Sequence, residues 1–392
     1  MNVAACLQWG QEPERSAFPP TVGEHDQSHS RATRRTQMEL FKAHRQWAER
    51  PADERFSDLP TLYSATKKYA SQAGTKEIPY SDVRVQAVDD DVQLVGRANV
   101  PATFTNWAFG QLCRMVQAPA EYLQRIPATL AAQNLNYGLA NKPPEGKGQL
   151  LFHTNGGLLL RAFTSDKYTR IWNYEVADRM LTLADKGWQP ARPDFNSSPD
   201  DFPALYASDH DMFAFLCNSN ITISEPGNPD SLKRGVIVEN SEVGAAALKL
   251  TRFLYRAMCG NHIIWGATQV TDISIRHVGE AREKWGLWAT EIRRYAEESA
   301  SDEEAKIARA KSRMIAATKE EVLDKLFGLR SLNLTRKVIE AGYDAVLPAQ
   351  DGDPRTPWGI TQGITRHSQT IPFTDQRNNI DRAAGKILEI NF

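Results

Sequence analysis

Two segments of the chain interleave cations with aromatic rings. The first runs Arg161-Ala162-Phe163-Thr164-Ser165-Asp166-Lys167-Tyr168-Thr169-Arg170-Ile171-Trp172, and the second runs Lys249-Leu250-Thr251-Arg252-Phe253-Leu254-Tyr255-Arg256. Cations that follow phosphates, set beside rings that stack on bases, are what sequence-tolerant single-strand binding requires. The pattern nominates Arg161, Lys167, Arg170, Lys249, Arg252 and Arg256 as phosphate contacts, with Tyr168, Trp172 and Tyr255 as stacking platforms. The competing reading is an amphipathic strand whose Arg and Lys stems snorkel along apolar surface. On an extended strand Lys249, Thr251, Phe253 and Tyr255 share one face and Leu250, Arg252, Leu254 and Arg256 the other, so neither face is purely basic.

Signatures of catalysis are missing. The chain has no phosphate-cradling GxxxxGK[ST], no GxGxxG after a strand, no GxSxG elbow and no HExxH. No catalytic residue is assigned, although Asp166, Glu242 and His262 would supply acid–base chemistry if the fold gathered them. Glu242 lies in Asn240-Ser241-Glu242-Val243-Gly244, a turn-forming stretch where it serves more simply as a cap or as a partner for Arg256. Metal ligation is equally weak. His25 and His29 have helical spacing in a Ser/Gln-rich segment; Asp209-His210-Asp211, read as a strand, would point its members to opposite faces; Asp89-Asp90-Asp91 lacks the spacing of a calcium loop. No metal and no cofactor is expected.

Bulk composition narrows the partners. Lys and Arg number 47 and Asp and Glu 48, a formal net charge of -1, which excludes a globally basic nucleic-acid coat and leaves only a local patch. With 41% hydrophobic and 24% charged residues, a sizeable core is expected over the 392 residues, in two or three domains. No apolar run approaches the roughly 20 residues of a membrane helix, so no membrane partner is expected. The first residues carry no basic leader, and Cys6, Cys113, Cys217 and Cys259 form no CxxC pair, which together read as a cytoplasmic protein with reduced thiols.

The elements that must position these residues follow from periodicity. Residues 1–58 read as a flexible basic arm with one amphipathic stretch at 37–49. Residues 59–145 read as a hairpin and helical subdomain: alternation on either side of Asp89-Asp90-Asp91, then helical spacing from Trp107, with Thr105 as N-cap. The tight junction at Gln117-Ala118-Pro119 has the look of a helix-turn-helix, but Glu121, Gln124 and Arg125 are a poor base-reading face. Residues 146–278 read as an α+β core. It contains a hairpin at 150–163, a helix at 174–184, and strands in 212–223, 235–238 and 246–255. Residues 279–392 read as a helical C-terminal region interrupted by a Pro/Gly/Asp linker at 348–358. The fold class is therefore α+β: an antiparallel hairpin and meander sheet packed with helices, plus the helical C-terminal region.

The stretches Ala108-Phe109-Gly110-Gln111-Leu112, Ala118-Pro119-Ala120-Glu121-Tyr122-Leu123, Arg161 to Tyr168, Val236 to Gly244, and Phe253-Leu254-Tyr255-Arg256 with Cys259 and Asn261 stand in order along the chain. With Thr356-Pro357-Trp358 and Ala383 to Leu388, they make residues 59–388 resemble a phage/plasmid-like domain-of-unknown-function family (DUF nine-three-two). That resemblance implies association with mobile DNA and carries over no catalytic residue. A fold-level analogy, hairpin plus helix plus meander, extends to phage single-strand annealing proteins. The expectation is a non-catalytic protein that binds single-stranded nucleic acid as a homo-oligomer. The alternatives are an interaction protein that targets a host protein, and a nucleic-acid enzyme.

Overall fold

The computed structural model describes residues 52–95, 101–154, 157–191, 204–225, 227, 232–256, 261–263, 273–279, 281–371 and 374–392. The expected arm helix at 37–49, His25 and His29, and the Asn155-Gly156 turn lie outside the described residues, as do the side chains of Tyr255, Arg256 and His262.

A 3-10 turn (Ala52–Glu54) and β1 (Arg55–Phe56) lead into α1 (Leu59–Ser71). The Asp58 carboxylate caps this helix by accepting the Thr61 N–H at 2.7 Å, and Pro60 sits in the first turn, where its missing donor costs nothing. Next come β2 (Ala73–Pro79), β3 (Arg84–Val88), β4 (Asp91–Val95), β5 (Pro101–Phe104), α2 (Asn106–Met115), α3 (Ala120–Leu123), α4 (Ala128–Ala140), β6 (Lys147–Thr154) and β7 (Leu158–Ser165). The expected acidic hairpin is β3–β4, and Asp89 takes the left-handed conformation in its turn. Thr105 caps α2 as expected, its hydroxyl accepting the Ala108 N–H at 3.1 Å. The presumed recognition helix of a helix-turn-helix is α3, a single turn of four residues.

These strands form one sheet in the order β2-β6-β7-β5-β4-β3, with β5 and β7 the parallel neighbours. The expected boundary at residue 145 therefore falls inside a sheet: β6 and β7 pair with strands from the preceding segment, because β2 supplies a seven-residue ladder to β6. One face of this sheet buries Leu150, Leu160 and Phe163 beneath Leu112 of α2 and Leu135 of α4.

The second sheet follows α5 (Asn173–Ala184). Its members are β8 (Trp188–Pro190), β9 (Leu205–Ala207), β10 (Met212–Asn218), β11 (Leu232–Asn240), β12 (Leu248–Arg256), β13 (Asn261–Ile263) and β14 (Ile273–Ile275). The order is β1-β9-β10-β11-β12-β13, with β14 on β12 and β8 on β10, all antiparallel. Every residue of β10 is buried, since α1 and α5 cover one face and the aromatic cluster of Phe213, Phe215 and Phe253 occupies the other. That two-sided burial accounts for the unbroken apolar run from Met212 to Cys217. The helix expected to pack on the 150–163 hairpin is α5, and it packs instead with α1 against the second sheet.

The C-terminal region is helical as expected: α6 (Ala281–Glu297), α7 (Ser301–Ser312), α8 (Lys319–Gly328), α9 (Arg336–Asp344), α10 (Pro348–Asp351), α11 (Pro357–Ser368) and α12 (Thr374–Ile387). The presumed linker at 348–358 corresponds in part to α10 and to the start of α11. Helix α11 is buried on all sides from Pro357 to Thr365, so it shows no amphipathic stripe to read. Two arginines fasten α6 to the second sheet. Arg234 of β11 and Arg252 of β12 both lie over the Tyr295 ring, at 5.2 and 4.5 Å, while reaching Glu303 and Glu298.

Gly235 of β11 stands opposite Phe253 of β12, and a methyl group at Gly235 would overlap the Phe253 ring. Gly235→Ala is expected to lower stability by about 1–3 kcal/mol through overpacking. A urea midpoint unchanged from the parent protein would show that the ring can move aside.

Candidate ligand-binding cleft

Where the second sheet meets the first, the segment 240–244 leaves the end of β11 and inserts against β7 and the start of α2. Its hydrogen bonds account for the close fit. The Trp107 Nε1–H and the Gln111 Nε2–H both donate to the Val243 carbonyl, at 2.9 and 2.7 Å. The Tyr168 hydroxyl donates to the Ser241 carbonyl at 3.0 Å, and Asn240 donates to the Ile171 carbonyl and to the Asn173 side chain.

At the centre lies Glu242. Its carboxylate accepts the Arg161 NH1 at 3.0 Å and the backbone N–H of Asn173, the first residue of α5, at 2.9 Å. The positive end of the α5 dipole thus adds to the attraction of the guanidinium. Arg161 is 1% exposed and Glu242 2%. The second Arg161 amino group donates to the Asp209 carbonyl at 2.6 Å, and the guanidinium lies 4.5 Å over the Tyr69 ring. Tyr69 also stacks on His153, with ring centroids 4.1 Å apart. Burial pushes the Tyr69 phenol up to about 12, and burial, with Arg161 nearby, moves His153 below the usual histidine range. The Arg161 Nε–H has no acceptor among the described residues.

This ion pair forms part of the wall of a cleft of about 540 Å³. Phe56, Phe104, Trp107 and Leu159 supply apolar wall, and Asp53 and Asp209 supply carboxylates. The volume falls in the range of small-ligand sites, and few convergent polar groups on apolar walls are their usual composition.

The nine residues expected to contact a single strand separate into two places. Arg161, Tyr168, Arg170 and Trp172 gather around 240–244. Arg170 is 7% exposed and donates to the Glu242 carbonyl at 3.2 Å; burial lowers it to about 10, so it stays cationic near neutrality. Tyr168 and Trp172 are partly buried, Tyr168 stacked on His277 at 5.3 Å. Lys249 and Arg252 lie on β12. Arg252 is 6% exposed and pairs with Glu291 and Glu298, while Lys249 stands 3.6 Å from Glu239. Lys167 is exposed beyond the end of β7. For Tyr255 and Arg256 the backbone alone is described.

Of the three candidate acid–base residues, Glu242 is held by Arg161, whereas Asp166 is exposed in the turn after β7, where its carbonyl accepts the Gln149 side-chain amide at 3.0 Å. Glu242 therefore has the structural role that its turn suggested, with Arg161 as partner where Arg256 was expected. Residues 209–211 form a bend between β9 and β10, not a strand, and no group of three or more potential metal ligands clusters among the described residues. Sequence reasoning missed Tyr69, Trp107 and Asp53 as cleft residues. Each lies far along the chain from Arg161 and has no motif around it.

Two sheets, one mixed and one antiparallel, clasped by one buried loop beside a polar cleft, define this protein as an α+β protein with an inter-sheet cleft. The family model described as Domain of unknown function (DUF932) matches residues 162–382, more than half of the chain, and the chain belongs to that family. The match takes in Glu242 and its loop and begins one residue after Arg161. Searches of curated proteins and of solved structures find no match.

His277 supports the clasp by stacking on Tyr168. Its Nδ1 lies 3.3 Å from the Thr169 carbonyl, which can only accept, so Nδ1 carries the proton of the neutral ring. Burial lowers its pKa from 6.5 to about 4, and the neighbouring Arg170 acts in the same direction. The unfolded chain then binds the extra proton first. Stability is full above about pH 6.5 and is lost as pH falls towards 4, by on the order of 3 kcal/mol. Asp381, raised from 3.8 to about 7 by burial, acts in the opposite sense, its stabilising contribution falling as pH rises from about 3.8 to about 7. His277→Asn isolates the histidine contribution. Urea unfolding at pH 7 and pH 4.5 is expected to show a smaller acid loss in the variant, and equal losses would remove His277 from this role.

Proposed function

We propose that the protein is a ligand-binding protein and that its recognition site is the cleft between the two sheets. The observation that carries this reading is the ion pair Arg161–Glu242 set, nearly inaccessible to water, in the wall of a cleft of about 540 Å³. A buried ion pair is commonly no more stabilising than apolar side chains of the same volume. Its placement beside an open cavity is therefore better accounted for by preorganisation than by stability alone: the pair fixes Tyr69 and the 209–211 bend, two parts of the cleft wall.

Single-strand binding, the reading drawn from the cation–aromatic alternation, would have to use other groups. Arg161, Arg170 and Arg252 are themselves buried and engaged within the protein, which leaves Lys167 and Lys249, among the described side chains, as the expected phosphate contacts with solvent access. Two lysines would give a shallow salt dependence, with a log–log slope of roughly -1.4 for a single strand.

Ala65 lines the cleft from α1. A thermal-shift screen with a broad panel of small polar molecules is expected to find compounds that raise the melting temperature of the parent protein and leave Ala65→Trp unmoved. A ligand at 100 times its Kd contributes about 2.7 kcal/mol, easily seen in such a scan. Ligands that stabilise both proteins equally would place binding elsewhere.

A further inference from the structure

The carboxylates of the cleft narrow its ligand. Arg161 is the cation in the lining, and Glu242 neutralises it at 3.0 Å. Asp53 and Asp209 also line the cleft; both are exposed, and among the described residues neither has an ion-pair or side-chain hydrogen-bond partner. Glu54 adds a further acidic side chain to the lining. His210 also lines the cleft, edge-on to Trp107 at 4.7 Å and 3.7 Å from the Asp211 carboxylate. The first turn of α2 also reaches the cleft, with one of its N–H groups taken by Thr105. The remaining charge is negative, and low-dielectric walls concentrate its field. The open Arg161 Nε–H asks only for a neutral acceptor, because its guanidinium charge is already balanced.

We propose that the cleft takes an organic cation: an ammonium or guanidinium group on an apolar stem. The charged end would sit between Asp53 and Asp209 and the stem against Phe56, Phe104 and Trp107. This inference rests on the cleft being the recognition site. A bare metal ion is a poor match, since no set of three or more ligating side chains converges among the described residues. A free phosphate or nucleotide is disfavoured by the same carboxylates. The cation has two natural sources, a free amine or the Arg or Lys side chain of a peptide.

The test uses ligand-observed NMR and calorimetry at low salt on the full chain. The probes are spermidine, agmatine and the N-acetylated peptide amide Gly-Arg-Gly as cations, the uncharged N-butylacetamide and N-butylurea as neutral counterparts, and succinate and adenosine monophosphate as anions. The variants are Asp53→Asn, Asp209→Asn, and two blockers, Ala65→Trp and the rim change Asn106→Trp, each checked for folding by circular dichroism. The inference predicts that at least one cationic probe binds, that each Asp→Asn change raises its Kd about tenfold, and that both blockers abolish binding. Preference for spermidine and agmatine over the peptide would identify a free amine, and the reverse a peptide side chain. Blocker-sensitive binding of neutral or anionic probes alone, or cation binding untouched by both Asp→Asn changes, would overturn the cation assignment and leave the cleft as the site. Absence of any blocker-sensitive probe would overturn both.

Discussion

The architecture turns on one buried contact, the Arg161–Glu242 ion pair. Each partner belongs to a different sheet: Arg161 projects from β7, and Glu242 follows the end of β11. Removing a carboxylate and a guanidinium from water is costly, and their mutual attraction offsets that cost only when the remaining donors and acceptors are filled. Here the backbone N–H at the start of α5, the Asp209 carbonyl and the Tyr69 ring do most of that work. The pair thereby draws α1, α5, the 209–211 bend and both sheets to one point, and the cleft is the space left beside it.

The second arginine cluster obeys the same logic in a different place. Arg234 and Arg252 enclose Tyr295 and end on backbone carbonyls and carboxylates near the junction of α6 and α7. Arginine suits both clusters because its planar fork can satisfy several acceptors while its face lies on a ring. The cation–aromatic alternation that suggested nucleic-acid contact is thus, for Arg161, Arg170 and Arg252, a record of internal packing: cations over rings inside the protein.

Much of the fold was legible in the sequence, and the reasons for the exceptions are physical. The β3–β4 and β6–β7 hairpins, the Thr105 cap, α5 and the surface helices of the C-terminal region all have periodicity that matches local structure. The strands β2 and β9 did not announce themselves, since their stability comes from partners far away in sequence, β6 and β10. Helix α11 was hidden by being apolar or small on every side. The candidate site was half legible. Arg161 and Glu242 were both singled out, Arg161 as a phosphate contact and Glu242 as a turn cap or a partner for Arg256, but not for each other. A salt bridge spanning 81 residues leaves no spacing rule by which to pair them. Tyr69, Asp53 and Asp209 enter the cleft by tertiary placement alone.

The central claim is that Arg161 and Glu242 act as a unit, and a double-mutant cycle measures it directly. Stabilities of the parent protein, Arg161→Met, Glu242→Gln and the double variant would be compared by urea unfolding. Each single change leaves a charge buried without its partner and is expected to cost about 3–5 kcal/mol, while the double change costs little more than either alone. Strictly additive losses would contradict the account, and would mean that the two side chains are neighbours and not the clasp between the sheets.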